Sequence, residues 1–185
     1  MGGESPWAAG ALTFLVGGAR SGKSTLAVAL GRRFDGDVVF VATAEAGDDD
    51  MAARIERHRA ERPGWPTVEA SRELVDAVTS SDPTAMLIVD CLTLWVANLV
   101  LGDVDAGEIA ARAAAVADAL RRRQGPSVVI SNEVGMGIIP DHPLGRHYRD
   151  VLGTVNQVVA RRAVRTLLLV AGRTLELNDP LELLP

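Results

Sequence analysis

The chain has 185 residues, 48% of them apolar and 23% charged, and its 19 Lys and Arg against 24 Asp and Glu give a net charge of -5. This balance excludes a disordered chain and offers no basic surface for broad nucleic-acid binding. A single cysteine, Cys91, excludes an internal disulfide and a cysteine-based zinc cluster, and it fits a reducing, cytoplasmic setting. No apolar run reaches bilayer-spanning length, because the longest, 87–101, is broken by Asp90 and Asn98.

In chain order, residues 1–10 (MGGESPWAAG) read as a short flexible leader without the basic start and cleavage pattern of a secretion signal. Residues 11–185 read as one domain, with no internal repeat and no dividing linker. Residues 12–16 (LTFLV) form a short apolar strand that stops at Gly17-Gly18. A helix follows over 24–34, and 38–42 (VVFVA) is a second buried strand. Asp48, Asp49 and Asp50 precede a helical stretch over 51–62, where acidic residues favour a helix start, and Pro63 and Pro66 close it. A helix is expected over 72–80 and a third strand over 86–89 (MLIV), ending in Asp90. The Ala-rich segment 106–123 is helical, with arginines suited to its C-terminal end. A fourth strand, 127–130 (SVVI), leads into the Gly-rich loop 133–140 (EVGMGIIP). A long helix over 146–164 and a fifth strand over 166–170 (TLLLV) complete the pattern. Continuous apolar strands alternating with helices predict an α/β fold with a mostly parallel central sheet flanked by helices.

The residues Gly17, Gly18, Ala19, Arg20, Ser21, Gly22, Lys23 and Ser24 fit G-x-x-x-x-G-K-[ST] in full, after a strand and before a helix. Such glycines let backbone N–H groups turn toward phosphate oxygens, and the helix that follows adds its positive end. Lys23 is then expected to reach the β- and γ-phosphates, and Ser24 to hold Mg2+. The fold class is therefore P-loop NTPase-like. Asp90, ending a strand, is a candidate to hold the same metal or its waters. The motif by itself leaves a kinase, a nucleotide-driven motor and a switch open.

On the expected helix 51–62, Arg54, His58 and Arg62 recur every four residues and share a face. A neutral imidazole can attack phosphorus and carry a nucleotidyl group. On spacing alone, a solvated basic face with an incidental histidine is the simpler account.

Three stretches together resemble one family: GGARSGKS at 17–24, ATAEAGDDDMAARIERHRAERP at 42–63, and SNEVGMGIIP with its continuation LGRHYRDVLGTVNQ across 131–157. The chain resembles the bifunctional adenosylcobinamide kinases and adenosylcobinamide-phosphate guanylyltransferases of cobalamin biosynthesis, over residues 12 to 172. The resemblance implies two reactions. ATP or GTP phosphorylates the aminopropanol hydroxyl of adenosylcobinamide. GTP then gives GMP to an enzyme histidine, which passes it to the new phosphate to make adenosylcobinamide-GDP. It implies His58 as that nucleophile and Lys23 as the catalytic lysine. It implies nucleotide contacts at residues 17–24, at Ala42, Thr43 and Ala44, at Arg59, Ala60, Glu61 and Arg62, and at Glu69 and Asp90. Ser24 and Asp90 are the implied Mg2+ ligands. Some relatives carry two adjacent histidines where this chain has Arg57 and His58, and some carry Glu at the position of Asp90. The resemblance implies a cyclic homotrimer, while the acidic balance and the lack of a spanning apolar run argue against a nucleic-acid or membrane partner.

Asp90 and Glu133 are weaker candidates for orienting the acceptor hydroxyl, with a helix-cap or loop-anchoring role equally open to Glu133. The loop 133–140 suits a corrinoid face, a subunit contact or a tight buried turn. Arg146, Arg149, Asp150 and Asn156 recur in the family pattern without a role, and Asp150 and Asn156 suit local helix hydrogen bonds. Competing readings are a small-molecule kinase without guanylyl transfer and a nucleotide-dependent switch or motor.

Overall fold

The computed structural model of the protein describes residues 5–45 and 63–183. Seven strands and five helices follow one another as β1 (Leu12–Gly17), α1 (Lys23–Gly31), β2 (Val38–Ala42), β3 (Thr67–Glu69), α2 (Leu74–Ser80), β4 (Met86–Asp90), α3 (Leu92–Leu101), α4 (Ala106–Arg121), β5 (Ser127–Asn132), α5 (Pro143–Ala160), β6 (Arg165–Val170) and β7 (Arg173–Leu177) among the described residues. A short 3-10 turn, Pro180–Leu183, ends the described chain.

The strands form one sheet in the order β3-β2-β4-β5-β1-β6-β7. Every pairing is parallel except β6 with β7, which is antiparallel. Register aligns the carboxyl ends: Gly17 lies opposite Asn132, and Ala42 lies opposite both Asp90 and Glu69. Loops that leave those ends therefore start from one rim, where open α/β sheets bind ligands.

The strands are apolar at successive positions because both faces are covered. On one face Leu12, Phe14, Val16, Leu87, Val89 and Val129 join Trp95, Leu99, Ile109, Leu120 and Val155 from the helices. On the other, Leu15, Phe40, Ile88 and Ile130 pack with Ala27 of α1, and Trp7, Phe34 and Trp65 border them. Trp7 belongs to the expected leader, yet its ring lies 6.0 Å from that of Phe34. Arg121 also donates to Gly10 O at 2.6 Å, so the segment just before β1 is tied down.

The five expected strands are present, with β1, β4, β5 and β6 one or two residues longer than the alternation suggested. The helix expected at 146–164 instead starts at Pro143, which suits a first helical turn, and His142 Nδ1 caps it by accepting from Leu144 N–H at 3.3 Å. The helices expected over 24–34 and 72–80 are shorter in the structure, at Lys23–Gly31 and Leu74–Ser80. Three elements were not expected: β3, α3 and β7. The helix expected over 51–62 lies outside the described residues.

Candidate functional site

The turn from β1 into α1 needs Gly17 for a steric reason. Its φ is +156°, and a side-chain carbon there would lie 2.3 Å from Leu169 O of the neighbouring β6. Arg20 takes φ +57° within the loop, a backbone state uncommon for a residue with a side chain. The loop is also held from outside, because Gly172 N–H donates to Ser21 O at 2.9 Å.

Lys23 opens α1 and is only 6% exposed. Its ammonium donates to Gly17 O at 2.8 Å, to Gly18 O at 2.6 Å and to Ser21 Oγ at 3.3 Å, so it lies inside the loop's own ring. Burial holds the Lys23 pKa below the ordinary lysine value, while Cys91 and Asp90 oppose that shift. Ser24 Oγ donates to Asp90 Oδ2 at 3.2 Å, which joins the loop to the end of β4. A hydroxyl and one carboxylate are hard oxygen donors and suit Mg2+, which keeps waters and phosphate oxygens as its other ligands. Among the described residues no group of three or more His, Cys, Asp or Glu could hold a metal by itself.

The structure brings Ala42, Glu69 and Asp90 into one row at the ends of β2, β3 and β4. Thr43 is fully buried next to that row. Its hydroxyl donates to Cys91 O at 2.6 Å and accepts from Cys91 N–H at 2.8 Å, pinning the β2 end to the β4 end. Ala44 follows, half-buried. His58, Arg59, Ala60, Glu61 and Arg62 lie outside the described residues.

On the other side of β1, Glu133 N–H donates to Gly17 O at 3.1 Å, so loop 133–140 starts beside the phosphate loop. Glu133 Oε1 accepts from Gly135 N–H, the loop-anchoring role. The tight buried turn is not what forms: Met136 is 81% exposed and Ile138 97%. Arg146 closes the loop by donating to Pro140 O at 2.9 Å and Asp141 O at 2.6 Å. Asn156 does not fix its own helix. Its Oδ1 accepts from Ser131 Oγ at 2.6 Å and its Nδ2 donates to Asn132 O at 3.0 Å, clamping α5 to the end of β5. Arg149 and Asp150 pair with each other at 2.8 Å.

Sequence reasoning did not find Cys91, Thr93 or Asn98 as parts of this rim. The one available signal was Asn98 itself, an amide inside a run of apolar residues.

A phosphate-type loop at the end of a central parallel strand, with its lysine in the loop and its serine bonded to a neighbouring strand-end aspartate, defines a P-loop nucleoside-triphosphate-binding protein. The family described as cobinamide kinase / cobinamide phosphate guanyltransferase matches residues 13–177, and the chain belongs to that family. It is 40% identical over 170 residues to the bifunctional adenosylcobalamin biosynthesis protein CobP of Pseudomonas aeruginosa, covering 90% of this chain and 98% of that protein. It is 39% identical over 178 residues to the bifunctional adenosylcobalamin biosynthesis protein CobU of Escherichia coli, covering 87% of this chain and 96% of that protein. The fold is also similar to an ATPase from the type III secretion system of pathogenic bacteria, with a TM-score of 0.54 at 16% identity, over 88% of this chain and 51% of that one. It is similar again to the flagellar accessory protein FlaH from Methanocaldococcus jannaschii, with a TM-score of 0.51 at 13% identity, over 90% of this chain and 76% of that one. Among the described residues no helix is long and apolar enough to cross a membrane.

Proposed function

We propose that the chain phosphorylates adenosylcobinamide and then guanylylates the product through His58. In the first reaction the aminopropanol oxygen attacks the γ-phosphorus of ATP or GTP, the bond to the bridging oxygen breaks, and the nucleoside diphosphate leaves. Residues 17–24 hold the triphosphate by backbone N–H groups, and Lys23 turns from its loop carbonyls to the phosphates. Ser24 and Asp90 would hold Mg2+, which supplies charge neutralisation when bound. The alcohol proton passes to solvent, with Asp90 and Glu133 the candidates to orient the hydroxyl.

In the second reaction the neutral His58 nitrogen attacks the α-phosphorus of GTP and pyrophosphate leaves. A phosphate oxygen of adenosylcobinamide phosphate then breaks the P–N bond, forms the diphosphate and frees the imidazole. Arg54, Arg57, Arg59 and Arg62 lie within four residues of His58 in sequence. The attacking form is the neutral imidazole, and we propose that these arginines attract the triphosphate. Ala42, Thr43, Ala44, Glu69 and residues 59–62 are the proposed guanine-nucleotide contacts.

The observation that supports this reading is the bond from Ser24 of α1 to Asp90, which lies in register with Ala42 and Glu69 at the strand ends, in a chain of this family. The test is incubation with GTP labelled at the α-phosphate. The expected result is acid-labile, base-stable protein label that His58→Ala abolishes. Guanylyl transfer by His58→Ala at the wild-type rate would overturn the assignment. We also propose a cytoplasmic homotrimer; the exposed apolar side chains of Met136, Ile138 and Ile139 support a subunit contact.

A further inference from the structure

Helix α3 grips the ends of three strands through its side chains. Thr93 Oγ1 accepts from Asn132 N–H at the end of β5 at 2.8 Å. Trp95 Nε1 donates to Arg72 O, beyond β3, at 2.8 Å. Asn98 donates from Nδ2 to two carbonyls at once, Thr43 O at 2.9 Å and Ser71 O at 3.1 Å. Only the nitrogen of the amide can serve two carbonyls, so the side-chain orientation is fixed by its partners.

Thr43 follows β2 and Ser71 follows β3. The ladder between these strands is short, pairing residues Phe40, Val41 and Ala42 with Thr67, Val68 and Glu69. The Arg72–Glu45 ion pair also spans the gap, but at 3.8 Å between half-exposed groups it contributes little. The amide of Asn98 is thus a polar tie between the two strand ends. Thr43 has a second, separate hold, because its hydroxyl is bonded twice to the Cys91 backbone. Losing the Asn98 amide therefore leaves Thr43 bonded to the Cys91 backbone and removes the direct hold on Ser71, whose neighbours Ala70 and Arg72 keep their bonds to Ala42 O and Trp95 Nε1.

We infer that Asn98 is a positioning residue that sets the spacing between the β2 and β3 ends and thereby the affinity for GTP in guanylyl transfer, independently of the phosphate loop. This rests on the reading above, in which Thr43, Ala44 and Glu69 contact the guanine nucleotide. The phosphoryl step uses Lys23, Ser24 and Asp90, which Asn98 reaches through Thr43, whose N–H donates to Asp90 O at 3.3 Å and whose hydroxyl stays bonded to Cys91.

Two substitutions test it in the full-length protein. Asn98→Leu removes both donors at similar volume, and Asn98→Asp places oxygen where the donor was. Each is expected to raise the GTP concentration for half-maximal self-guanylylation by about tenfold, the loss of one to two partly buried hydrogen bonds. The final amount of label and the kinase KM and kcat are expected to stay at wild-type values. Hydrogen exchange in the unliganded protein is expected to speed up at Ala70, whose N–H donates to Ala42 O at 2.8 Å across this gap. Unchanged GTP dependence in either variant overturns the inference. So does a parallel fall of both reactions, which marks a merely structural residue. Absence of label in the wild-type protein would overturn the function proposed above, and unchanged exchange at Ala70 would overturn the tie itself.

Discussion

Lys23 carries two competing tendencies. Its ammonium is buried, which disfavours the charge, and it is held by the carbonyls of Gly17 and Gly18. A triphosphate offers stronger, charge-assisted partners at the same place. Lys23→Met keeps most of the volume and removes the charge. It is expected to leave the melting temperature near wild type and to lower the kinase kcat/KM by about 100-fold or more, in line with loss of a charge-stabilising donor. A loss under threefold would show that the lysine does not reach the phosphates. Cys91 gives a pH-dependent check. Burial, followed by the charge of Asp90, pushes its thiol up from 9.0 to about 11. The neutral form is the one the fold favours, so its contribution to stability is complete below pH 9.0 and declines as pH rises toward 11. At pH 8 iodoacetamide is expected to modify the native protein about a hundredfold more slowly than the urea-unfolded chain, since thiolate is the reactive species. Equal rates would mean the thiol is not shielded. At this scale the phosphate loop was legible because its eight residues are contiguous and each has a local reason to be there. Thr43 was legible only through the family resemblance, and Asn98 was not, because its partners lie 55 and 27 residues away in sequence.

Elements were legible in proportion to how cleanly their pattern repeats. The five central strands are continuous apolar runs, which only a sheet covered on both faces requires. Strand β3 has three residues, too few for a period, and β7 is exposed at every position, so neither announces itself. Helix α3 buries Leu92, Trp95, Val96, Leu99 and Val100 at helical spacing, but apolar residues at 94, 97 and 101 blur the stripe. The end of α5 shows the cost of unpairing polar groups between elements. Asn156→Ala leaves Ser131 Oγ and Asn132 O without the partner they have in the structure. The expected penalty is about 2–3 kcal/mol for buried groups left unsatisfied. At about 2–4 °C per kcal/mol for a chain of this size, thermal unfolding should fall by several degrees. Asn156→Asp is expected to retain the Ser131 bond and lose less. An unchanged melting curve for Asn156→Ala would remove the clamp from the account.

For the whole molecule, the exposed apolar loop beside the phosphate loop is the feature that points outward. A side chain as apolar as Ile138, 97% exposed in the single chain, is favoured only when something covers it. With the proposed trimer, sedimentation of the wild-type protein should give three times the 19.5 kDa chain mass. Ile138→Asp should shift the distribution toward the single chain by desolvating a charge in the contact. A wild-type protein that sediments as one chain at all concentrations would remove the assembly. Sequence reading reached the apolar character of this loop but placed one possible version of it in the interior; the fold turns it out because one sheet face is already filled by helices and the other by α1 with Trp7, Phe34 and Trp65.

The sheet order has a consequence for how the protein is made. Strand β1 leaves the ribosome first, yet its two neighbours are β5 and β6, and the turn that braces Ser21 is at Gly172. During translation the LTFLV segment must wait for roughly 115 further residues before β5 is complete and roughly 155 before β6 and the brace are, on the order of ten seconds at typical elongation rates. Until β5 arrives both edges of this apolar strand are open, and until β6 arrives one still is, so the nascent segment is exposed to mispairing for most of its synthesis.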